Sequence, residues 1–342
     1  MESKTRLRMG IVGCGYQGGI LAQTIVKGNG RITDALRIVA CADPDQAAAA
    51  RVAAIAGGAA VYASAEELLQ CTDVDAVFVA TSHDALYECS LAAIQAGKHV
   101  LAEKPIGIDE KEAAQLEEAV ARSNVCFMSG YSFRYIAAWQ KVAELLQAGA
   151  VGEIHTITGA IGVPPMSSGW LASPNTGGGP LLYVGSHLVD QILWYLGDDP
   201  VEVIADIRYR ADTRADETTT FQIQFSRGAV AQGMVTQTAH AGFFSNLNIY
   251  GRQGRISLHG AGFTYFVDVV SSALAAYSQP ASIQLPQLED LRILMHQPQL
   301  AEFAQAIRER RQPSCTVSDG RRVLKVLDAF IRSERAGAPV RL

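Results

Sequence analysis

Apolar residues in the first third of the chain fall in short β-rich runs at 7–12, 37–42, 75–80 and 99–102. Between them, apolar positions recur every three or four residues, which predicts helices at 17–26, 45–56 and 85–95. A shorter helix is predicted after Ser64, which has Glu67 at the spacing of a capping box. Strand and helix in strict alternation imply a parallel sheet covered on both faces, with right-handed crossovers. A helix at 109–122 and a strand at 125–129 complete a doubly wound α/β unit, so the first domain is expected to span 1–129.

Beyond that point the period changes. Strand-like runs at 154–161, 201–208, 218–225, 229–238 and 246–250 follow one another with few helices between them, predicting an antiparallel or mixed sheet. Residues 185–196 read as a helix, and amphipathic helices at 299–310 and 320–335 close the chain. The second domain is expected to occupy 130–342, and the segment 261–290 carries no pattern that assigns it.

Composition supports two globular domains: 342 residues, 49% apolar and 18% charged, with no long polar or low-complexity stretch. A net charge of −5, with basic residues scattered apart from short runs such as Arg308-Glu309-Arg310-Arg311, gives no footprint for a nucleic acid partner. No apolar run reaches membrane-spanning length and the first residues are charged, so a membrane partner is not expected and a cytoplasmic location is. The six cysteines stand far apart with no Cys-x-x-Cys pair, which predicts reduced thiols rather than a disulfide framework or zinc site.

Gly13-Cys14-Gly15-Tyr16-Gln17-Gly18 is a G-x-G-x-x-G sequence placed directly after a predicted strand and opening a predicted helix. In that setting it is a dinucleotide fingerprint: Gly13 for the tight turn, Gly15 for close approach of the pyrophosphate, Gly18 for packing of helix on strand. Backbone N–H groups around Tyr16 and Gln17 then face the anion. Asp43 ends the second strand, where a carboxylate accepts hydrogen bonds from the adenine-ribose hydroxyls and repels a 2′-phosphate. Pro44 and Asp45 follow with no adjacent cation, so the expected cofactor is NAD rather than NADP. Thr81, Ser82 and His83 follow the strand 75–80 at the carboxyl edge where ligands sit in such sheets, and are candidates for cofactor contact. For His83 a solvated loop position is the competing reading.

The strand 99–102 runs into Glu103-Lys104-Pro105, charges that suit a site better than a core. Here the chain resembles the Gfo/Idh/MocA family of glucose-fructose oxidoreductase, inositol dehydrogenase and rhizopine catabolism proteins. The resemblance rests on the glycine loop, Gly97-Lys98-His99-Val100 with Glu103-Lys104-Pro105, and Gly177-Gly178-Gly179 leading to Gly185-Ser186-His187-Leu188-Val189-Asp190. It extends to the closing Gly320-Arg321-Arg322-Val323, Ser333 and Gly337. It implies a Rossmann domain followed by a domain on a large, open, mainly antiparallel sheet that binds substrate and often forms the oligomer contact. The implied activity is NAD-dependent hydride transfer to or from sugars, inositols and related polyols. Lys104 then reaches nicotinamide and substrate, Glu103 stands beside it, and His187 is the general acid/base.

The chemistry of these residue types agrees. Alcohol oxidation requires loss of the hydroxyl proton, which a group titrating near neutrality accepts well, and an ammonium stabilises the developing alkoxide. Many family members have an aspartate four residues before the histidine, where this chain has Tyr183. A phenol at i, i+4 from His187 shares its face if the helix starts that early, making Tyr183 a third catalytic candidate. Asp190 is expected to orient the imidazole or bind a substrate hydroxyl, and Arg134 and Trp170 are further substrate-binding candidates. No His, Asp and Glu cluster has metal-ligand spacing, and none is expected to bind a metal. The partners expected are a small-molecule substrate and further copies of the chain, as a homodimer or homotetramer. Two other readings stay open: a reductase or dehydrogenase of a less polar substrate such as a dihydrodiol or imine, and an NAD-bound sensor without turnover.

Overall fold

The computed structural model describes residues 6–166, 169–261, 264–285 and 295–342. Most of the charged first residues, and residues 262–263 and 286–290 of the unassigned segment, lie outside them. The chain forms two compact units, Met1–Ser132 with Asp290–Arg321, and Phe133–Glu289 with Arg322–Leu342.

In the first unit six strands, β1 (Leu7–Val12), β2 (Leu36–Ala42), β3 (Ala60–Tyr62), β4 (Ala76–Val79), β5 (His99–Ala102) and β6 (Phe127–Ser129), lie in the order 3-2-1-4-5-6. All pairings are parallel. The crossovers carry helices α1 (Tyr16–Lys27), α2 (Gly30–Thr33), α3 (Gln46–Ile55), α4 (Ala65–Leu69), α5 (His83–Gln95) and α6 (Glu110–Ala121). All of β4 is buried, as expected of a strand covered on both faces. The strand order reverses at β1 and β4, so the loops after these two strands open beside each other at the carboxyl edge.

The chain is divided differently from the two contiguous domains that the sequence predicts, because a later segment belongs to the first unit. Helix α9 (His296–Glu309) buries Leu300, Phe303, Ala304 and Ala306, and packs on α1 and α2. Arg308 donates to the Ala35 carbonyl at 3.3 Å. The irregular segment beyond it meets β6: Ser129 N–H donates to the Cys315 carbonyl at 3.0 Å and Ser129 Oγ to the Thr316 carbonyl at 2.7 Å.

The second unit is built on a nine-stranded sheet in the order β14-β13-β12-β11-β7-β10-β9-β8-β15. Its strands are β7 (Ile154–Gly162), β8 (Pro200–Tyr209), β9 (Asp216–Phe225), β10 (Val230–Thr236), β11 (Phe244–Gly251), β12 (Gly254–Ala261), β13 (Thr264–Ser271), β14 (Ala281–Gln284) and β15 (Val340–Arg341). Every pairing is antiparallel except β10 with β7. One face carries the core, including Ile157, Ile161, Ile223, Val235, Leu247, Ile249, Val267 and Val269. Helices α7 (Ala137–Gln147) and α8 (Ser186–Leu196) pack on this sheet. Phe330, from the second-unit part of α10 (Val317–Ala336), stacks on Phe221 of β9 with ring centroids 4.5 Å apart. The opposite face carries polar side chains, with Gln232 donating to Gln222 at 2.9 Å and Asn248 to Thr158 at 3.4 Å. Within the segment left unassigned from sequence, 264–271 is β13, paired with β12 and β14, and 281–284 is β14, at the sheet's edge. The alternation is plain in the burial of β13, and the sequence masks it by placing the apolar Phe266 and Val270 on the less buried face beside Thr264 and Asp268.

Candidate active site

The first unit builds an anion cradle from backbone. Gly13 turns the chain out of β1 with φ +91°, and a Cβ there would lie 2.5 Å from the Ala80 carbonyl oxygen at the end of β4. A Cβ on Gly18 would overlap the Gly13 carbonyl, whereas one on Gly15 meets nothing within 4 Å. Two of the glycines therefore exist for internal packing and the third keeps open space in front of the helix. Gly15 is also the N-cap of α1, and no side chain among the described residues caps it. The first N–H groups of a twelve-residue helix thus face that space, a fit to the pyrophosphate of a dinucleotide.

Asp43 stands at the end of β2. Its Oδ2 accepts the Cys14 N–H at 2.7 Å and its Oδ1 the Asp45 N–H at 2.8 Å. Asp45, not Asp43, caps α3, by accepting from Ala47 and Ala48. Each Asp43 oxygen keeps acceptor capacity for a ribose hydroxyl. Of the residues after β4, Thr81 Oγ1 donates to the Ser82 carbonyl at 3.2 Å and Ser82 Oγ to Asp84 at 2.5 Å. His83 is not on a solvated loop: it is the first residue of α5 and only 2% exposed.

Tyr16, at the start of α1, is 63% exposed. Gln17 turns the other way, its Nε2 donating to Glu103 Oε1 at 3.0 Å, while Glu103 Oε2 accepts the Lys104 N–H at 3.1 Å. Glu103 therefore braces the glycine-loop helix against the backbone that carries Lys104, and the Lys104–Pro105 bond is cis. Burial pushes the Lys104 ammonium down to about 8, with neighbouring Glu103 acting in the opposite sense.

In the second unit, the short turn before α7 grips α8 at two successive points. The Phe133 ring lies flat on the His187 imidazole, centroids 4.1 Å apart and planes 10° from parallel. Arg134 forks onto Asp190, one turn further along α8, with Nε 3.0 Å from Oδ2 and Nη2 2.6 Å from Oδ1. Both partners of this ion pair are buried, at 6% and 1% side-chain exposure. The guanidinium also lies 5.5 Å from the Trp194 ring, and Gln140 donates to the Arg134 carbonyl. Arg134 and Asp190, both expected at the substrate, thus face each other. Their spacing from His187 makes them its scaffold.

Tyr183 does not share a regular helix with His187. It sits half-buried in a π-helical turn, Leu181–Gly185, that leads into α8. The triple glycine before this turn is explained by contact: a Cβ on Gly178 would lie 2.5–2.6 Å from the carbonyls of Ser173, Trp170 and Leu171, and one on Gly179 (φ +119°) would overlap the Asp216 carboxylate. Asp216 Oδ2 accepts the Leu181 N–H at 2.8 Å. Burial pushes the Asp216 carboxyl up to about 7, against the lowering effect of the Leu181 N–H and of its own amide. Trp170 lies in the loop preceding the glycines and is 36% exposed. Phe133, Asp216 and Trp194 were not identified from sequence, since each meets its partner through tertiary contact.

The sequence matches two family models: "Oxidoreductase family, NAD-binding Rossmann fold" over residues 7–131, and "GFO/IDH/MocA C-terminal domain" over residues 139–257. A 1,5-anhydro-D-fructose reductase of Ensifer adhaerens is 30% identical over 266 residues, covering 75% of this chain and 76% of the relative. The chain belongs to the Gfo/Idh/MocA oxidoreductase family. An inositol 2-dehydrogenase of Saccharopolyspora erythraea is 27% identical, with 74% and 73% covered. The solved structure of GenD2 from gentamicin A biosynthesis, in complex with NAD, superposes with a TM-score of 0.85 at 25% identity, covering 100% of this chain and 98% of that one. This Gfo/Idh/MocA protein is thus an oxidoreductase with an NAD(P)-binding Rossmann unit. Among the described residues no helix is long and apolar enough to cross a membrane.

Two outcomes follow. Gly15→Ala should weaken NAD binding by about tenfold or more, read by calorimetry, because even one methyl intrudes on the space that the pyrophosphate needs; its melting temperature should stay at the wild-type value. Arg134→Ala should cost about 3–5 kcal/mol in urea unfolding, since it strands the Asp190 carboxylate in the core. The Arg134→Ala/Asp190→Ala double variant should recover part of that loss.

Proposed function

We propose that the protein is an NAD-dependent dehydrogenase acting on a secondary alcohol of a sugar, inositol or related polyol. The observation that carries this reading is that both groups required for alcohol oxidation are present and held: Lys104 beside Glu103 at the end of β5, and His187 clamped on α8. The sugar and inositol chemistry of the relatives supports the substrate class. When bound, the nicotinamide supplies the hydride acceptor.

The protein's own groups handle the proton and the charge. His187 accepts the hydroxyl proton as the carbon–oxygen bond gains double-bond character. The Lys104 ammonium donates to the reacting oxygen and stabilises its developing charge, which lowers the pKa of the alcohol before hydride departs. Tyr183 is proposed to bind substrate or donate to the same oxygen, in the place where family members carry an aspartate. Asp43 selects NAD by accepting from ribose hydroxyls and repelling a 2′-phosphate; Asp43→Ala should therefore weaken NAD binding far more than NADP binding, and equal losses would remove that assignment.

The deciding experiment is NADH formation by the purified protein with NAD and a panel of inositols, aldoses and amino sugars, alongside Lys104→Ala. Turnover that drops by about two orders of magnitude or more in the variant is the expected result. No turnover across the panel, despite NAD binding, would contradict the reading. The pH dependence has a definite sign. With the Lys104 pKa lowered to about 8, the protonated form is lost above that pH, so kcat/KM should fall on the alkaline side with an apparent pKa near 8. Lys104→Arg should move that limb upward. Between pH 8 and the free lysine value the unfolded chain holds the extra proton, so this residue's contribution to stability rises with pH as activity falls.

A further inference from the structure

The π-helical turn carrying Tyr183 needs something to hold its start. Among the described residues no side chain caps its first N–H groups from within the turn, and its N-cap is Pro180, which has no N–H. The holder comes from the sheet. Asp216, the first residue of β9, accepts the Leu181 N–H through Oδ2, while its Oδ1 lies where a side chain on Gly179 would begin. The Asp216 backbone is fixed in turn: its carbonyl accepts from Gln237 Nε2 at 2.7 Å, and Gln237, 1% exposed, uses its Oε1 to accept the Met166 N–H at 3.0 Å. Gly185, at the end of the turn, packs on Val235 of β10, where a Cβ would lie 3.0 Å from a valine methyl. The turn is therefore pinned at its start by a carboxylate and at its end by a close approach, both from adjacent strands.

We propose that Asp216 is a positioning residue: by seating its carboxylate on Gly179 and accepting the Leu181 N–H, it sets the path of the 181–185 turn and so the placement of Tyr183 and the entry of the chain into His187. The inference rests on the proposed roles of Tyr183 and His187 for its catalytic consequence, and on geometry alone for its structural one. It also explains why glycine occupies position 179. Besides its positive φ, any side chain there would displace the acceptor that orders the turn.

The test compares Asp216→Ala and Asp216→Asn with the wild type. Asparagine keeps the oxygen acceptor at nearly the same volume; alanine removes it. Hydrogen exchange of the amides at 181–187 should accelerate about tenfold or more in Asp216→Ala, with the exchange of β9 and β10 unchanged, and should return to within about threefold of wild type in Asp216→Asn. On a substrate from the panel, Asp216→Ala should lower kcat by about tenfold with KM for NAD unchanged, and Asp216→Asn should restore it. Exchange at 181–187 no faster in Asp216→Ala than in wild type would overturn the proposal, as would an acceleration spread evenly over the second unit. If Asp216→Ala does not fold, Asp216→Glu replaces it: the longer side chain keeps the carboxyl group but displaces the acceptor, and exchange at the wild-type rate would again overturn the proposal. A wild-type protein without turnover on the panel defeats the dehydrogenase reading and leaves the exchange experiment to decide this one.

Discussion

A guanidinium and a carboxylate removed from water are tolerated in a protein interior only when the geometry between them is close to ideal, and the second unit depends on such a pair. Arg134 reaches Asp190 with two forked contacts, and neither side chain retains more than a trace of exposure. Because the fork is planar and directional, it fixes α8 in rotation as well as in position. Phe133, the preceding residue, then lies flat against His187 one helical turn earlier. The His187 imidazole and the helix that carries it are thereby held by two neighbouring residues of one short turn.

The first unit reaches precision by a different route, through backbone. The N–H groups at the start of α1 are its donors, and glycine at three positions decides where the chain turns, where it packs and where it stays open. Side chains enter at the margins. Asp43 borrows the Cys14 N–H to fix its carboxylate at the end of β2, and Glu103 links Gln17 to the Lys104 backbone. Lys104 is then kept in surroundings that lower its proton affinity.

How much of this is legible in the sequence depends on whether the interaction is local. The glycine loop and Asp43 are legible because their spacing reflects the geometry of one strand, one turn and one helix. The alternation of strands and helices gives the parallel sheet for the same reason, and His187 and Lys104 stand in recognisable motifs. Arg134 and Asp190 draw notice individually, yet their pairing does not, because 56 residues separate them and no periodicity joins the two. Asp216 lies two residues before the strand predicted at 218–225 and carries no signal there; only the approach of Gly179 reveals what it holds. Helix α9 shows an apolar face in its sequence, but that face does not say which unit it covers, and so its return to the first unit appears only in the structure. The π-helical turn is invisible for a related reason: the groups that meet its two ends, Asp216 and Val235, lie on strands far along the chain.

Hydride transfer from carbon is the central claim, and it is tested most directly by isotope. The protein is incubated with NAD and a turned-over polyol deuterated at the carbon bearing the oxidised hydroxyl, and the NADH formed is analysed by mass spectrometry. One deuterium per NADH, with the solvent contributing none, is the result predicted. NADH without deuterium, formed in step with the oxidised product, would contradict the account.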